Sequence, residues 1–161
     1  MPRIRRVEPA NIQPITLEEQ VPYLLDATTE AFDMHYLVFT TSVHTTAAIC
    51  DYLDERATSD DGVTVVATTP ADDATARRDA QEALNVAPVR LAALGDVQTE
   101  LRTHDEPARS FLETASAVGA DEILIAAHDG LTAESSSVGS TARKLLETAS
   151  LPVVVVPVPD A

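Results

Sequence analysis

The feature that most constrains this chain is a fivefold alternation of short apolar runs with segments of helical periodicity. The apolar runs are rich in valine, isoleucine and threonine, which favour β-strands, and the middle runs are continuously apolar, as in sheets covered on both faces. The pattern predicts an α/β fold with one parallel sheet and helices on both faces. The predicted strands are LVFT at 37–40, VTVVATT at 63–69, VQTELRT at 97–103, DEILIAA at 121–127 and PVVVVPV at 152–158.

Four segments between the strands have apolar residues at the spacing of a helix face. Pro107 suits the first turn of the third segment, and Gly119 suits the position just past its end. Pro88 disturbs the second segment, so whether VRLAAL forms a second helical piece stays open. Cys50 lies on the apolar face of the first segment and is expected in the core rather than as a reactive thiol. The four segments are 43–57, 72–86, 105–119 and 139–150.

Residues 1–35 lie outside this alternation and are predicted to be an N-terminal extension of a domain at 36–161. The stretch TLEEQVPYLLDATTEAF has the pattern of an amphipathic helix, with Thr16 and Glu19 at capping-box spacing. Its apolar face is expected to pack on the domain, and the alternative is a surface that binds a protein partner.

The formal charge of −15 argues against nucleic acid and anionic membranes as partners, because both attract clustered lysine and arginine. The charge is built with ten arginines and one lysine, Lys144, which is typical of proteins from very salty cytoplasm. No apolar run approaches the roughly 18 residues of a membrane span, and no secretory pattern is recognisable. We therefore expect a cytoplasmic, halophilic protein without membrane contact.

The stretch AAHDGLTAESSSVGSTARKLL at 126–146 has the outline of a phosphate-holding loop that leads into a helix. A helix N-terminus offers free backbone N–H groups and the positive end of the helix dipole, which together attract anions. Gly139 allows a close approach to the backbone, and Ser140 and Thr141 add hydroxyl donors. Alone, a Gly-Ser-Thr helix start is a weak signal, because serine is also a common helix cap.

The wider context resembles the universal stress protein family. The resemblance rests on the acid–Pro–Ala start at 106–108, GADEILI at 119–125, His128, VGSTARKLLETAS and PVVVV, and more loosely on residues 36–53. It implies a five-stranded parallel sheet in the order 3-2-1-4-5, of the adenine nucleotide alpha-hydrolase-like, Rossmann-like type. It also implies a homodimer through the C-terminal strand around Val153 to Val156, and many members of the family bind ATP or AMP.

The resemblance implies binding residues at Thr41, Ala126, Asp129, Gly139 and Ser140, yet three of these five depart from the nucleotide-binding pattern. Ala126 and Asp129 replace glycines, and Thr41 replaces an aspartate after the first strand. The Asp129 carboxylate is the severe change. At about 5 Å and an effective dielectric near 20, each like-charge pair with a phosphate costs on the order of 3 kcal/mol.

The sequence therefore predicts a non-catalytic stress-response or signalling homodimer with an altered nucleotide pocket and no cofactor. The alternative is a member that binds ATP or AMP with magnesium and hydrolyses ATP slowly. A third reading, a metal-dependent enzyme, rests on His44, His128 and Asp129, which are expected more often to be ordinary solvated or turn residues. The serines at 135–137 are candidates for phosphorylation, or form a polar loop.

Overall fold

The computed structural model describes residues 33–127 and 139–159, which contain five strands and four helices. In chain order these are β1 (His35–Phe39), α1 (Val43–Asp54), β2 (Gly62–Thr69), α2 (Ala74–Arg90), β3 (Asp96–Thr103), α3 (Pro107–Val118), β4 (Glu122–Ala126), α4 (Ser140–Thr148) and β5 (Val153–Val156). The predicted N-terminal helix at 16–32 and the loop at 128–138 lie outside the described residues. Within the described part of the chain, none of the helices has the length and apolar character to cross a membrane.

The five strands form one parallel sheet in the order β3-β2-β1-β4-β5, which confirms the predicted topology. In the register of the central pair, Tyr36 lies opposite Glu122 and Phe39 lies opposite Ile125. Because every strand runs the same way, all five carboxyl ends lie at one edge of the sheet. That edge is where open α/β sheets bind ligands.

Alternate residues of the strands enter two separate cores, one on each face of the sheet. The first core contains α1 and α2 residues packed on strand residues such as Val38 and Val65. The second contains α3 and α4 residues packed on residues such as Leu37 and Ile125. In the second core, the rings of Phe39 and Phe111 meet edge to face with centroids 5.2 Å apart. The continuous apolar runs of the sequence are thereby explained, since both faces of the sheet are buried.

Local chemistry sets most of the helix ends where the sequence predicts them. Pro107 is the first residue of α3, and Gly119 follows its last residue with φ 68°, a left-handed conformation that glycine adopts readily. Asp73 caps α2 by accepting a hydrogen bond from the N–H of Ala76 at 2.9 Å. The first strand differs from the prediction: it spans His35–Phe39 rather than 37–40, and Thr40 lies just past its end.

The open question at Pro88 is settled in favour of one helix, because α2 continues through it to Arg90. A proline in a helix interior removes a hydrogen bond and costs about 3 kcal/mol. Here Ala87, the residue before the proline, is 0% exposed, and Leu91, which caps the helix three residues after it, is 2% exposed, whereas the neighbouring Val89 is 78% exposed. Burial of this apolar face offsets the lost bond, which is a tertiary effect that helix periodicity alone does not reveal.

Cys50 lies on the buried face of α1, as predicted, and is 3% exposed. Burial raises the pKa of its thiol to about 12, so the thiol is protonated at neutral pH. The thiolate is the reactive form. Cys50 is therefore a packing residue.

Candidate functional site

The candidate site lies at the carboxyl ends of β1 and β4, which are neighbours in the centre of the sheet. From this pair the chain proceeds outward in opposite directions, to β2 and β3 on one side and to β5 on the other. Such a reversal of strand order is a topological switch point, where a crevice forms between the connecting loops. Of the predicted binding residues, Thr41 follows the end of β1 and Ala126 is the last residue of β4.

A backbone hydrogen bond connects the residue after β4 to the residue before α4. The N–H of Gly139 donates to the carbonyl oxygen of Ala127 at 3.2 Å, and the N–H of Ala127 donates to Val156 at 2.9 Å. Ala126, the last residue of β4, is half-buried and lies opposite Val156 in the ladder. The two residues that flank the segment 128–138, Ala127 and Gly139, are thus hydrogen-bonded to each other, and the predicted phosphate loop between them stays a prediction.

The first turn of α4 presents polar groups to solvent. Gly139 is its N-cap, with φ −63° and ψ 164°, and no side chain of the described residues caps the helix. Gly139 and Ser140 are exposed, and Thr141 is half-buried. A Cβ atom on Gly139 would meet no atom of the described residues within 4 Å. Among these residues, neither backbone conformation nor packing therefore requires glycine at this position.

The turn between β1 and α1 is closed by a cluster of hydroxyl groups. Thr41, which stands at the aspartate position, is exposed. Its N–H donates to Thr45 Oγ1 at 3.1 Å, and the N–H of Ser42 donates to the same oxygen at 3.0 Å. Below them the Oγ1 of buried Thr40 lies 2.8 Å from that of Thr45 and 2.6 Å from that of Thr46. The N–H groups of Thr41 and Ser42 thus donate to a side chain that follows them directly at the start of α1.

A hollow of about 340 Å³ opens beside the first turn of α4, between it and the start of α3. Its charged walls are two acids, Asp105 and Glu106, and two bases, Arg109 and Lys144. Arg109 Nε also lies 3.5 Å from the Oε2 of Glu113. Because the charges balance, the hollow adds no net positive field, and attraction for an anion at this end of the sheet comes from the helix N-terminus.

The remaining predictions concern the possible metal ligands and the phosphorylation candidates. His44 is exposed on α1. His128, Asp129 and the serines at 135–137 lie outside the described residues, so the proposed meeting of His44 with His128 and Asp129 stays a prediction. Among residues 33–127 and 139–159, no three histidine, cysteine or acidic side chains are grouped to hold a metal ion.

Sequence reasoning missed the hydroxyl cluster of the β1–α1 turn. Ser42 caps α1 through its side chain, which accepts from the N–H of Thr45 at 3.2 Å, and the Thr45 hydroxyl caps the N–H of Ser42 in return. The signal was present as a hydroxyl residue followed three positions later by another in TTSVHTT. The usual capping box has Glu or Gln at the second position, so threonine there is easily overlooked.

The universal stress protein family model matches residues 39–157, which include β2 to β5 in full and Phe39, the last residue of β1. The chain therefore belongs to the universal stress protein family, as its sequence motifs predicted. A comparison with curated protein sequences found no match.

Solved structures of the same fold come from distant relatives. A universal stress protein from Archaeoglobus fulgidus is 20% identical with a TM-score of 0.61, and the alignment covers 76% of this chain and 98% of the other. A structure from the same organism in complex with dAMP is 20% identical with a TM-score of 0.58, covering 76% and 97%. An Arabidopsis thaliana family protein with AMP bound is 13% identical with a TM-score of 0.58, covering 78% and 92%. At these identities the likeness establishes the fold.

Proposed function

We propose that this protein is a non-catalytic stress-response or signalling protein that acts by binding, with a crevice altered so that it does not hold ATP tightly. The observation that carries the proposal is the hydrogen bond between Gly139 and Ala127, which joins the two ends of the loop that contains Asp129. Asp129 is two residues beyond Ala127 in the sequence. Chain length therefore keeps its backbone within about 7 Å of Ala127, whose carbonyl oxygen accepts the hydrogen bond from Gly139.

This tether supports an electrostatic block. Phosphate groups bound at the first turn of α4 would lie in the neighbourhood of the Asp129 carboxylate, and two like charges about 5 Å apart repel by on the order of 3 kcal/mol at an effective dielectric near 20. About 1.4 kcal/mol corresponds to a tenfold change in affinity. The four acidic and basic residues of the neighbouring hollow cancel one another and supply no net positive charge to offset the repulsion.

The test is the substitution Asp129→Gly, which restores the residue of nucleotide-binding relatives. Titration calorimetry at about 0.1 M salt, where the Debye length is about 10 Å, is expected to detect ATP binding by this variant, at about a hundredfold higher affinity than by the wild type. Asp129→Asn is the matched control, because it removes the charge and retains a side chain of similar size. If neither variant gains affinity, charge at position 129 does not close the pocket, and the proposal fails.

The second candidate is an adenine-nucleotide-binding protein that uses ATP or AMP with magnesium and hydrolyses ATP slowly. It is favoured by the open space beside Gly139 and the exposed donors of the first turn of α4, and by the dAMP and AMP complexes of relatives. Gly139→Ala tests it, because the added methyl group meets no atom of residues 33–127 or 139–159 and would lie where a ligand binds the first turn of α4. Loss of AMP binding with unchanged stability favours this candidate; wild-type protein that binds no AMP removes it.

We also propose that the protein is a homodimer that pairs through β5. This strand contacts β4 on one side, and within the described residues no strand covers its other side. Three of its four valines are only partly buried. An exposed apolar edge is usually paired or protected in native proteins, and pairing with a second copy gives a two-fold interface. A cytoplasmic location is part of the same proposal and is supported by the acidic, lysine-poor composition, which is typical of proteins from very salty cytoplasm.

A further inference from the structure

We propose that two copies of this protein pair antiparallel along the outer edge of β3, so that the protein associates beyond the β5 dimer when salt and protein concentrations are high. By the β3 edge we mean the backbone groups of Asp96–Thr103 that point away from β2. The proposal goes beyond the function given above and does not depend on what the crevice binds.

The β3 edge offers a long, regular set of backbone donors and acceptors. All eight residues of β3 pair with β2 without a bulge, and within the described residues no strand lies on the other side. The N–H of His104 donates to the carbonyl oxygen of Thr69 at 3.1 Å. Because successive residues of a parallel ladder alternate in direction, the backbone groups that point outward belong to Val97, Thr99, Leu101 and Thr103. Proline and lysine, which often protect an edge, are absent from β3.

The side chains of β3 divide between an apolar and a polar face. Val97 and Leu101 are half-buried and pack against the first core. The opposite face carries polar side chains that already interact along the strand. Gln98 donates to the Oδ1 of Asp96 at 2.8 Å, and Arg102 Nη1 lies 3.3 Å from the Oε1 of Glu100.

This sequence is complementary to itself in one antiparallel register. Pairing centred on Thr99 places Val97 opposite Leu101 and Asp96 opposite Arg102, and a two-fold axis repeats both pairs. The neighbouring registers oppose acids: pairing centred on residue 98 places Asp96 opposite Glu100, and pairing centred on residue 100 places Glu100 opposite itself. Charged side chains protect an edge when like charges meet. In the register centred on Thr99 opposite charges meet instead, which favours a second copy as the partner.

The net charge makes this pairing depend on salt. Each copy carries −15, so that copies repel one another at low salt. At about 1 M salt the Debye length is about 3 Å, which screens the long-range repulsion while groups in contact still interact. A β5 dimer has a β3 edge at each end of its sheet, where further dimers can add. Because the β3 pairs are mostly polar and exposed, we expect them to be weaker than the β5 pairs and to need a higher protein concentration.

The first test is sedimentation equilibrium at about 1 M sodium chloride, from micromolar to millimolar protein. Wild-type dimers are expected to associate into species of four copies and more. Thr99→Pro removes the outward N–H at the centre of the register, leaves the bonds to β2 in place and should abolish this association. Thr99→Ala is the matched control, because it keeps the N–H, and it should associate like the wild type.

The second test reads the register by charge, in the Val155→Pro variant, which is designed to lack the β5 interface. Asp96→Arg or Arg102→Asp alone places like charges opposite each other and should weaken β3 pairing about tenfold. An equal mixture of the two variants brings opposite charges together at both positions between unlike copies. The mixture is therefore expected to associate as strongly as protein with the native residues at 96 and 102.

Three results would each overturn the proposal. They are a wild type that stays dimeric up to millimolar concentration, association that Thr99→Pro leaves unchanged, and a mixture that associates no more strongly than its components. The first would mean that something other than a second copy covers the β3 edge. Circular dichroism checks that each variant is folded, and if Thr99→Pro is not, the charge mixture decides.

Discussion

His35, an ionisable side chain of the described sheet, makes the free energy of unfolding depend on pH near pH 6. It begins β1, and its Nε2 lies 2.8 Å from the hydroxyl of Thr64. Burial lowers the pKa of the imidazole below its ordinary 6.5, and the carboxylates of Asp121 and Asp96 only partly oppose this. The folded protein therefore favours neutral histidine, whereas the unfolded chain protonates near 6.5.

The lowered pKa predicts a pH dependence of the free energy of unfolding. Above about pH 6.5 the contribution of His35 is fully present, because both states are neutral. As the pH falls from 6.5 toward the folded pKa, the unfolded state binds more protons and stability is lost. His35→Gln keeps a hydrogen-bonding group beside Thr64 and should flatten this part of the profile. Urea unfolding between pH 5.5 and 7.5 measures it; identical slopes for both proteins would contradict the assignment.

At the residue scale, the sequence indicated the chemistry of some positions and not of others. Cys50, Pro107 and Gly119 were predicted correctly because their roles depend on the local pattern alone. The role of Thr45 was missed because it depends on how a strand end and a helix start meet in three dimensions. For Asp129, the sequence gives the negative charge. Its effect on phosphate binding depends on its distance from α4, which the hydrogen bond between Gly139 and Ala127 limits.

Among the elements, β5 carries the prediction of dimerisation. The N–H of Ile123 donates to the carbonyl of Pro152, and that of Ala127 donates to Val156. In a parallel ladder successive residues alternate in the side to which their backbone groups point, so 152, 154 and 156 face β4. Val153 and Val155 therefore present their N–H and C=O groups to the outer edge, where a second copy would pair.

The substitution Val155→Pro tests the β5 interface. Proline removes the outward N–H and leaves the bonds to β4 in place, as edge strands tolerate. Light scattering in molar salt is expected to give a dimer for the wild type and for the control Val155→Ala, and a monomer for Val155→Pro with an unchanged circular dichroism spectrum. A monomeric wild type, or a folded Val155→Pro dimer, would show that β5 is not the interface.

Element type and order followed from the sequence because a covered parallel sheet imposes continuous apolar strands and amphipathic helices. The residues at which strands and helices begin and end were harder to predict. β1 starts two residues before the predicted run, at His35, because hydrogen-bonded pairing with β2 begins at that residue. The helix α2 passes Pro88 because the burial of Ala87 and Leu91 outweighs one missing hydrogen bond. Both outcomes depend on tertiary contacts that a local pattern does not contain.

For the whole molecule, the net charge of −15 on 161 residues predicts a strong dependence of stability on salt. Carboxylate repulsion extends over about 10 Å at 0.1 M salt and about 3 Å at 1 M. The free energy of unfolding should therefore rise as sodium chloride increases from 0.1 M to several molar. Thermal unfolding across that range measures it, with choline chloride as a control for a specific effect of sodium. A melting temperature independent of salt would contradict the halophilic interpretation.

Membership of the universal stress protein family follows from the match over residues 39–157 and from the 3-2-1-4-5 sheet. Family membership alone does not determine the ligand, because the residues at the crevice differ from the nucleotide-binding pattern at Thr41, Ala126 and Asp129. We propose that the charge of Asp129 decides whether the crevice holds a triphosphate.

The most direct measurement is calorimetric titration of the wild-type protein with ATP and magnesium at about 0.1 M salt, beside the same titration of Asp129→Gly. We expect no measurable heat of binding for the wild type at micromolar protein and a clear, saturable signal for the variant. Tight binding of ATP by the wild type, at an affinity equal to that of Asp129→Gly, would show that the aspartate does not exclude triphosphates and would contradict the central claim.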